Sequence, residues 1–174
     1  MDDPFELPER TQFSDEGYAV LGRASAFATE FEGSSRALAA ILHLKNNRGI
    51  LDSEKSTSEF FKFLRKNKLY TYIKQIEKDL GLANDAHEVI QRARLARNTL
   101  THEGGLGHDH LMEVESRHSD FVQEVEKLVR DIAEGQLIIL VLSQLATREP
   151  IPTLDYLNSY VDSVVHWVCK EYFE

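Results

Sequence analysis

Apolar residues recur at three- and four-residue intervals along most of the chain, and no stretch shows the two-residue alternation of a half-buried strand. Val20, Ala24, Phe27, Phe31, Leu38 and Ile41 form the first stripe, with Gly22, Ser25, Ala28, Ser35 and Ala39 as a small-residue stripe beside it. Together they predict a long helix from a cap at Asp15 to about Leu44, with the small stripe letting another helix approach closely. Glu30, Glu32 and Arg36 interrupt this apolar length. They read as a solvated face, or as an acid placed to orient an Arg or His of a site.

Asn46, Asn47 and Gly49 break the period. A second helix is predicted from about Glu59 to Leu80, capped by Thr57 or Ser58, interruptible at Asn67-Lys68 and ended by Gly81. Its expected buried set is Phe60, Phe61, Leu64, Leu69, Tyr72, Ile73 and Ile76. Asn84 or Asp85 caps a third helix that carries Val89, Ile90, Ala93, Ala96 and Leu100 and reaches His102. A fourth opens near Asp109, continues through Phe121, Val125, Val129 and Ile132, and is expected to kink or divide at Glu134-Gly135. Leu137 to Leu142 is apolar all round, which predicts burial in a bundle centre or a subunit interface. Pro150 and Pro152 precede a last helix, Leu154 to about Tyr172, with Leu157, Tyr160, Val161, Val164, Val165 and Val168 turned inward. Residues 1–14 hold two prolines and no period, and read as an extended arm. Residues 15–174 therefore read as one all-α domain, an up-and-down bundle of about five helices.

A length of 174 residues suits one domain with a sizeable core. The net charge of −9 argues against a protein that coats nucleic acid without selection. The positive charge is nonetheless clustered, as Lys62, Arg65, Lys66 and Lys68, and as Arg92, Arg94 and Arg97. Such runs usually form solvated helix faces. If both faced one groove they would form a basic strip, with Lys62, Arg65, Lys66, Arg92 and Arg94 as substrate-binding residues. The single cysteine, Cys169, excludes an internal disulfide framework and, beside His166, reads as a buried structural thiol. The longest apolar run is too short for a bilayer, and the N-terminus has acids where a signal peptide has bases. The expectation is a cytoplasmic protein with no membrane partner.

The chemistry concentrates in Arg92-Ala93-Arg94-Leu95-Ala96-Arg97-Asn98-Thr99-Leu100-Thr101-His102-Glu103-Gly104-Gly105. Asn98 and His102, four apart, share one helix face. Arg97 stands about 140° away from His102 on an ideal helix, so convergence is expected to need a loosened last turn, which the glycines permit. An arginine, an amide and an imidazole at a helix exit can hold a phosphate and move a proton.

Arg97-Asn98-Thr99-Leu100-Thr101-His102 resembles the signature of the HEPN superfamily: an Arg, often followed by Asn, then a His after four to six residues. Arg36 and His43 also fit the bare spacing, but lie inside a long helical pattern and read as polar residues of that helix. The resemblance implies a HEPN-like helical bundle and a metal-independent endoribonuclease of toxin–antitoxin or anti-phage type, needing no cofactor. It implies attack by the ribose 2′-hydroxyl, leaving a 2′,3′-cyclic phosphate and a 5′-hydroxyl. His102 would be general acid or base, Arg97 would stabilise the phosphate, and Asn98 would orient His102 or the substrate. It further implies an RNA partner, a two-fold homodimer uniting both motifs in one cleft, and an antitoxin or regulatory protein. Family members also occur as non-catalytic RNA-binding or interaction modules, the alternative function. Some carry a Tyr two positions after the His that is modified by AMP; Gly104 stands there, so the resemblance does not extend to that control.

Two metal readings compete. His102, Glu103, His108, Asp109 and His110 crowd nine positions, but no pair has the i,i+4 spacing of helical zinc motifs, and Asp109 suits an N-cap. The His108-Asp109 doublet resembles HD-type metal phosphohydrolases, with His87 and Asp131 as nominal partners, yet it falls at a glycine loop. No metal site is assigned.

Overall fold

The computed structural model describes residues 11–102 and 115–169, without the side chains of residues 115 and 116. Among these residues the protein is all-α, with six helices and no strand. Helix α1, Gln12–Asn46, starts earlier than the sequence pattern predicts. Thr11, and not Asp15, is its cap: the Thr11 hydroxyl accepts from the Ser14 amide at 3.1 Å, and Ser14 Oγ accepts from the Thr11 amide at 2.9 Å. This reciprocal pair satisfies two end donors at once, so residues 12–14, expected in the arm, are helical. The predicted stripe is buried at Val20, Ala24, Phe27, Phe31 and Leu38, and the small stripe at Ala28, Ser35 and Ala39, whereas Gly22 is exposed.

The second predicted helix is two. Helix α2, Glu54–Lys66, starts at a Ser53 cap that accepts from the Ser56 amide. It stops where Asn67 adopts extended backbone and its side-chain amide donates to the Phe63 carbonyl at 2.8 Å. Helix α3, Leu69–Leu80, follows and ends at Gly81 as predicted, through a left-handed turn with φ 58°. Phe60 is buried, but Phe61 is 48% exposed, contrary to expectation. Adjacent residues point about 100° apart on a helix, and one face of α2 is covered.

Helix α4, Asn84–His102, buries Ile90, Ala93, Ala96 and Leu100. Helix α5 is described over Glu115–Thr147, so the predicted opening near Asp109 lies outside the described residues. It does not divide at Gly135. A Cβ there would lie 2.3 Å from that of Ala93, and Phe31 packs at 3.4 Å, so this glycine lets α5 press against α4 and α1. The run Leu137–Leu142 is less enclosed than predicted: Ile139 is fully buried and its five neighbours are half-buried. Helix α6, Leu154–Cys169, buries Val165 and Val168 and half-buries Leu157, Tyr160, Val161 and Val164.

Helix α5 packs on α1, α4 and α6, and α3 packs on α1 and α4. Arg23 Nε donates to the Val168 carbonyl at 2.8 Å, tying α1 to α6. Among the described residues no helix is long and apolar enough to cross a membrane.

Candidate functional site

The last two turns of α4 face an open cleft of about 430 Å³, bordered also by Glu32 of α1 and by the chain from Asn67 into the start of α3. Glu32, Asn67, Lys68, Leu69, Tyr70, Arg97, Asn98 and His102 line it. The sequence folds this way because Ala93, Ala96 and Leu100 are drawn into the core, leaving Asn98 and His102 on the uncovered side of α4 and Arg97 at the edge of the covered face. The start of α3 is fixed by Tyr72, which is buried, packs edge-on against Phe63 and donates its hydroxyl to the Leu64 carbonyl at 2.8 Å. Burial, chiefly, holds the Tyr72 phenol above its ordinary value. With Tyr72 pinned, Lys68 and Tyr70 are delivered to the cleft.

Three predicted catalytic residues thus share one cavity, without any loosening of the helix over the described residues. The Arg97 guanidinium turns round α4 and donates from Nη1 to Asn98 Oδ1 at 3.2 Å, which carries it toward the face that Asn98 shares with His102. Its other terminal nitrogen donates to the Glu32 carboxylate of α1, and both side chains are about four-fifths buried. Arg97 Nε is buried without a partner. Glu32 also receives Arg36 at 3.5 Å, so one carboxylate stands between two guanidinium groups. His102 is exposed. Gly104-Gly105, expected to provide the exit turn, lie outside the described residues.

The basic residues divide. Arg94 borders the cleft, with its guanidinium carbon 5.5 Å from the centroid of the Tyr70 ring. Arg92 does not reach it: two residues earlier it points about 200° away, and it pairs with Glu134 at 2.7 Å and Asp131 at 3.5 Å on α5. Lys62, Arg65 and Lys66 are exposed on α2 and none of them lines the cleft, so the single strip expected from the two clusters does not form around it. Lys68, the last of that cluster, lines it instead, because the break after Lys66 redirects the chain. Glu32 was visible as an acid in an apolar stretch. Asn67 and Tyr70 carried no signal in the Arg–His motif, since they reach it only through the packing of α3.

Comparison with protein-family models, curated proteins and solved structures finds no match.

The competing constellations also take definite places. In the second copy of the spacing, Arg36 lies over the Tyr72 ring and His43 stacks on Phe60 and Phe63, so that copy serves packing. Among the described residues no group of three or more His, Cys, Asp or Glu could hold a metal ion. Glu103, His108, Asp109 and His110 lie outside those residues. His87 contacts Glu77 at 2.9 Å and Asp131 contacts Arg92, so each has a partner of its own.

Chemically, the cleft offers a guanidinium, a lysine and the positive end of α3 on an acidic protein, with an accessible imidazole beside them. The Glu32 carboxylate lines the same cleft and is paired with that guanidinium.

Proposed function

We propose that this chain is a metal-independent RNA endonuclease of HEPN type, an up-and-down helical bundle acting in the cytoplasm as part of a toxin–antitoxin or anti-phage system. The observation that carries this reading is the convergence of Arg97, Asn98 and His102 on one cleft, with Arg97 bonded to Asn98. RNA supplies its own nucleophile beside the scissile phosphate, so the protein need only hold the phosphate and move protons. The 2′-oxygen bonds to phosphorus as its proton leaves, and the 5′-oxygen departs with a proton delivered to it. His102, the exposed imidazole that lines the cleft, serves one of these transfers. Arg97 meets the charge that builds on the phosphate oxygens. Asn98 acts by orienting Arg97, a role different from the one the motif implies for it. A homodimer places a second motif at the same cleft and supplies the second proton carrier, and an antitoxin or regulatory protein is the expected partner.

One observation favours a second reading, a non-catalytic RNA-binding or interaction module. Glu32 already neutralises Arg97, so an incoming phosphate competes with a carboxylate. Incubation with mixed single-stranded RNA in excess EDTA separates the two. The nuclease leaves 2′,3′-cyclic phosphate and 5′-hydroxyl ends. Salt-sensitive binding without cleavage selects the module, and cleavage abolished by EDTA selects a metal mechanism.

A further inference from the structure

We infer that Tyr70 is a base-stacking residue, and that the cleft takes RNA only as an unpaired nucleotide, its base on the Tyr70 ring and its phosphate at Arg97. This rests on reading the cleft as an RNA site. Tyr70 is the second residue of α3, between the buried Leu69 and Tyr72, yet is itself 52% exposed. Tyr18, Phe61, Tyr156 and Trp167 are comparably exposed, but of these five aromatics Tyr70 is the one that lines the cleft with Arg97 and His102.

Its surroundings are cationic. The Arg94 guanidinium lies 5.5 Å and the Lys74 ammonium 5.7 Å from the ring centroid, and Lys68 lines the same cleft. An aromatic ring among cations on an otherwise acidic protein is the combination that binds single-stranded nucleic acid: the ring takes the base and the cations follow the backbone.

The ordinary role for Tyr70 is a cation–π clip, from Arg94 on α4 and from Lys74 on its own helix, and that role is weak. A cation over an exposed ring contributes about a factor of 2 to 5 in an equilibrium constant. Both contacts here lie near the outer limit of about 6 Å for such pairs. Stacking one base on an aromatic contributes about a factor of 5 to 150. A base stacked on the exposed ring is thus at least as strong a contact as either cation, and Lys74 keeps its ion pair with Glu77 at 3.1 Å.

The same geometry selects the substrate. A base in an A-form duplex is already stacked and paired, so its face is closed to an aromatic side chain. A duplex also holds the 2′-oxygen out of line with the 5′-oxygen it must displace. An unpaired nucleotide with its base on Tyr70 is free to rotate into line. Because every base has a π-face, the contact selects single strands and loops over duplex with little preference among bases.

The test uses the full chain in a His102→Ala background, so that binding is measured without cleavage. The probe is a short single-stranded RNA carrying 2-aminopurine, whose fluorescence falls on stacking. With Tyr70 present the probe binds and is quenched. Tyr70→Ala weakens binding about 5- to 150-fold and removes the quenching, while Tyr70→Trp retains both. The thermal midpoint falls by at most a few degrees, the scale of two exposed cation–π contacts, so the lost binding is not a loss of fold. A fully paired RNA of equal length binds as weakly with Tyr70 as without it. Binding and quenching insensitive to Tyr70→Ala, or equal affinity for paired and unpaired RNA, would overturn the inference. Tyr70-dependent binding without cleavage by the wild-type protein would uphold it and count against the nuclease reading alone.

Discussion

Glu32 of α1 and Arg97 of α4, 65 residues apart in sequence, are joined as an ion pair in the wall of the cleft. The pair binds the helix that carries the Arg–His motif to the longest helix of the described fold. It also holds the guanidinium in place between Glu32 and Asn98.

Removing one partner of a largely buried pair leaves the other charge without compensation. Glu32→Ala should therefore lower stability by about 1–3 kcal/mol in urea titration. Arg36→Ala, at a half-exposed i,i+4 position, should cost about 0.5 kcal/mol or less. The Glu32→Ala, Arg97→Ala double variant should lose less than the sum of the singles. Strict additivity would show that the two side chains do not interact.

Gly135 offers a test of packing. In an exposed helix, Gly→Ala stabilises by about 1 kcal/mol. Here the added carbon meets Ala93 at 2.3 Å, and Gly135→Ala should instead destabilise by about 1–3 kcal/mol. For a chain of this size each kcal/mol lowers the melting midpoint by about 2–4 °C. Adding Ala93→Gly should recover part of the loss. A raised midpoint in the single variant would contradict the close approach of α4 and α5.

Glu77 makes stability depend on pH. Burial alone would raise its carboxyl, but hydrogen bonds from Gln91 and Lys74 and the charge of His87 outweigh that and hold it below its ordinary value. A depressed carboxyl stabilises the fold above its unfolded value of about 4.3, and that increment is lost as pH falls through the lowered folded value. Glu77→Gln should thus be less stable than wild type at pH 7, with the gap closing as the pH drops below about 4. Denaturant titration at a series of pH values checks this, and a gap independent of pH would refute it.

The dimer is tested by mass. The half-buried run Leu137–Leu142 adjoins the exposed Leu145, Ile151 and Leu154 at the end of α5 and start of α6. A self-complementary patch repeated on two subunits suffices for two-fold association. Light scattering at micromolar concentration should give about 40 kDa, twice the 19.9 kDa chain. Leu154→Glu, at a position 71% exposed and so harmless to the fold, should return the monomer. Monomer mass for the wild-type chain would remove the two-sided cleft.

Much of the helix layout was legible because it is local. The end of α3 at Gly81 and the break at Asn67-Lys68 follow from turn and cap chemistry in neighbouring residues, whereas Asn84 and Asp85, read as caps of α4, lie inside it. Gly135 misled because a glycine that opens space for another helix looks in sequence like one that breaks its own. Arg97, Asn98 and His102 could be named because one helix carries all three. Glu32, Lys68 and Tyr70 reach the same cleft through the packing of α1 and α3 on α4, and periodicity does not encode which helices meet. The separation of Arg92 from Arg94 was legible in principle, since residues two apart on a helix cannot both face one cleft.

Arg97 and His102 are proposed to act on RNA without a metal. The most direct measurement of this is the cleavage rate of single-stranded RNA in excess EDTA, for wild type beside His102→Ala and Arg97→Ala. Each variant should lose on the order of 10²–10⁴ in rate, the scale of a positioned acid, base or charge. His102→Ala should leave the melting midpoint unchanged, and DNA of the same sequence should resist, because it lacks the 2′-hydroxyl. Equal cleavage by all three proteins, or none by the wild type, would rule out a role for Arg97 and His102 in cutting RNA.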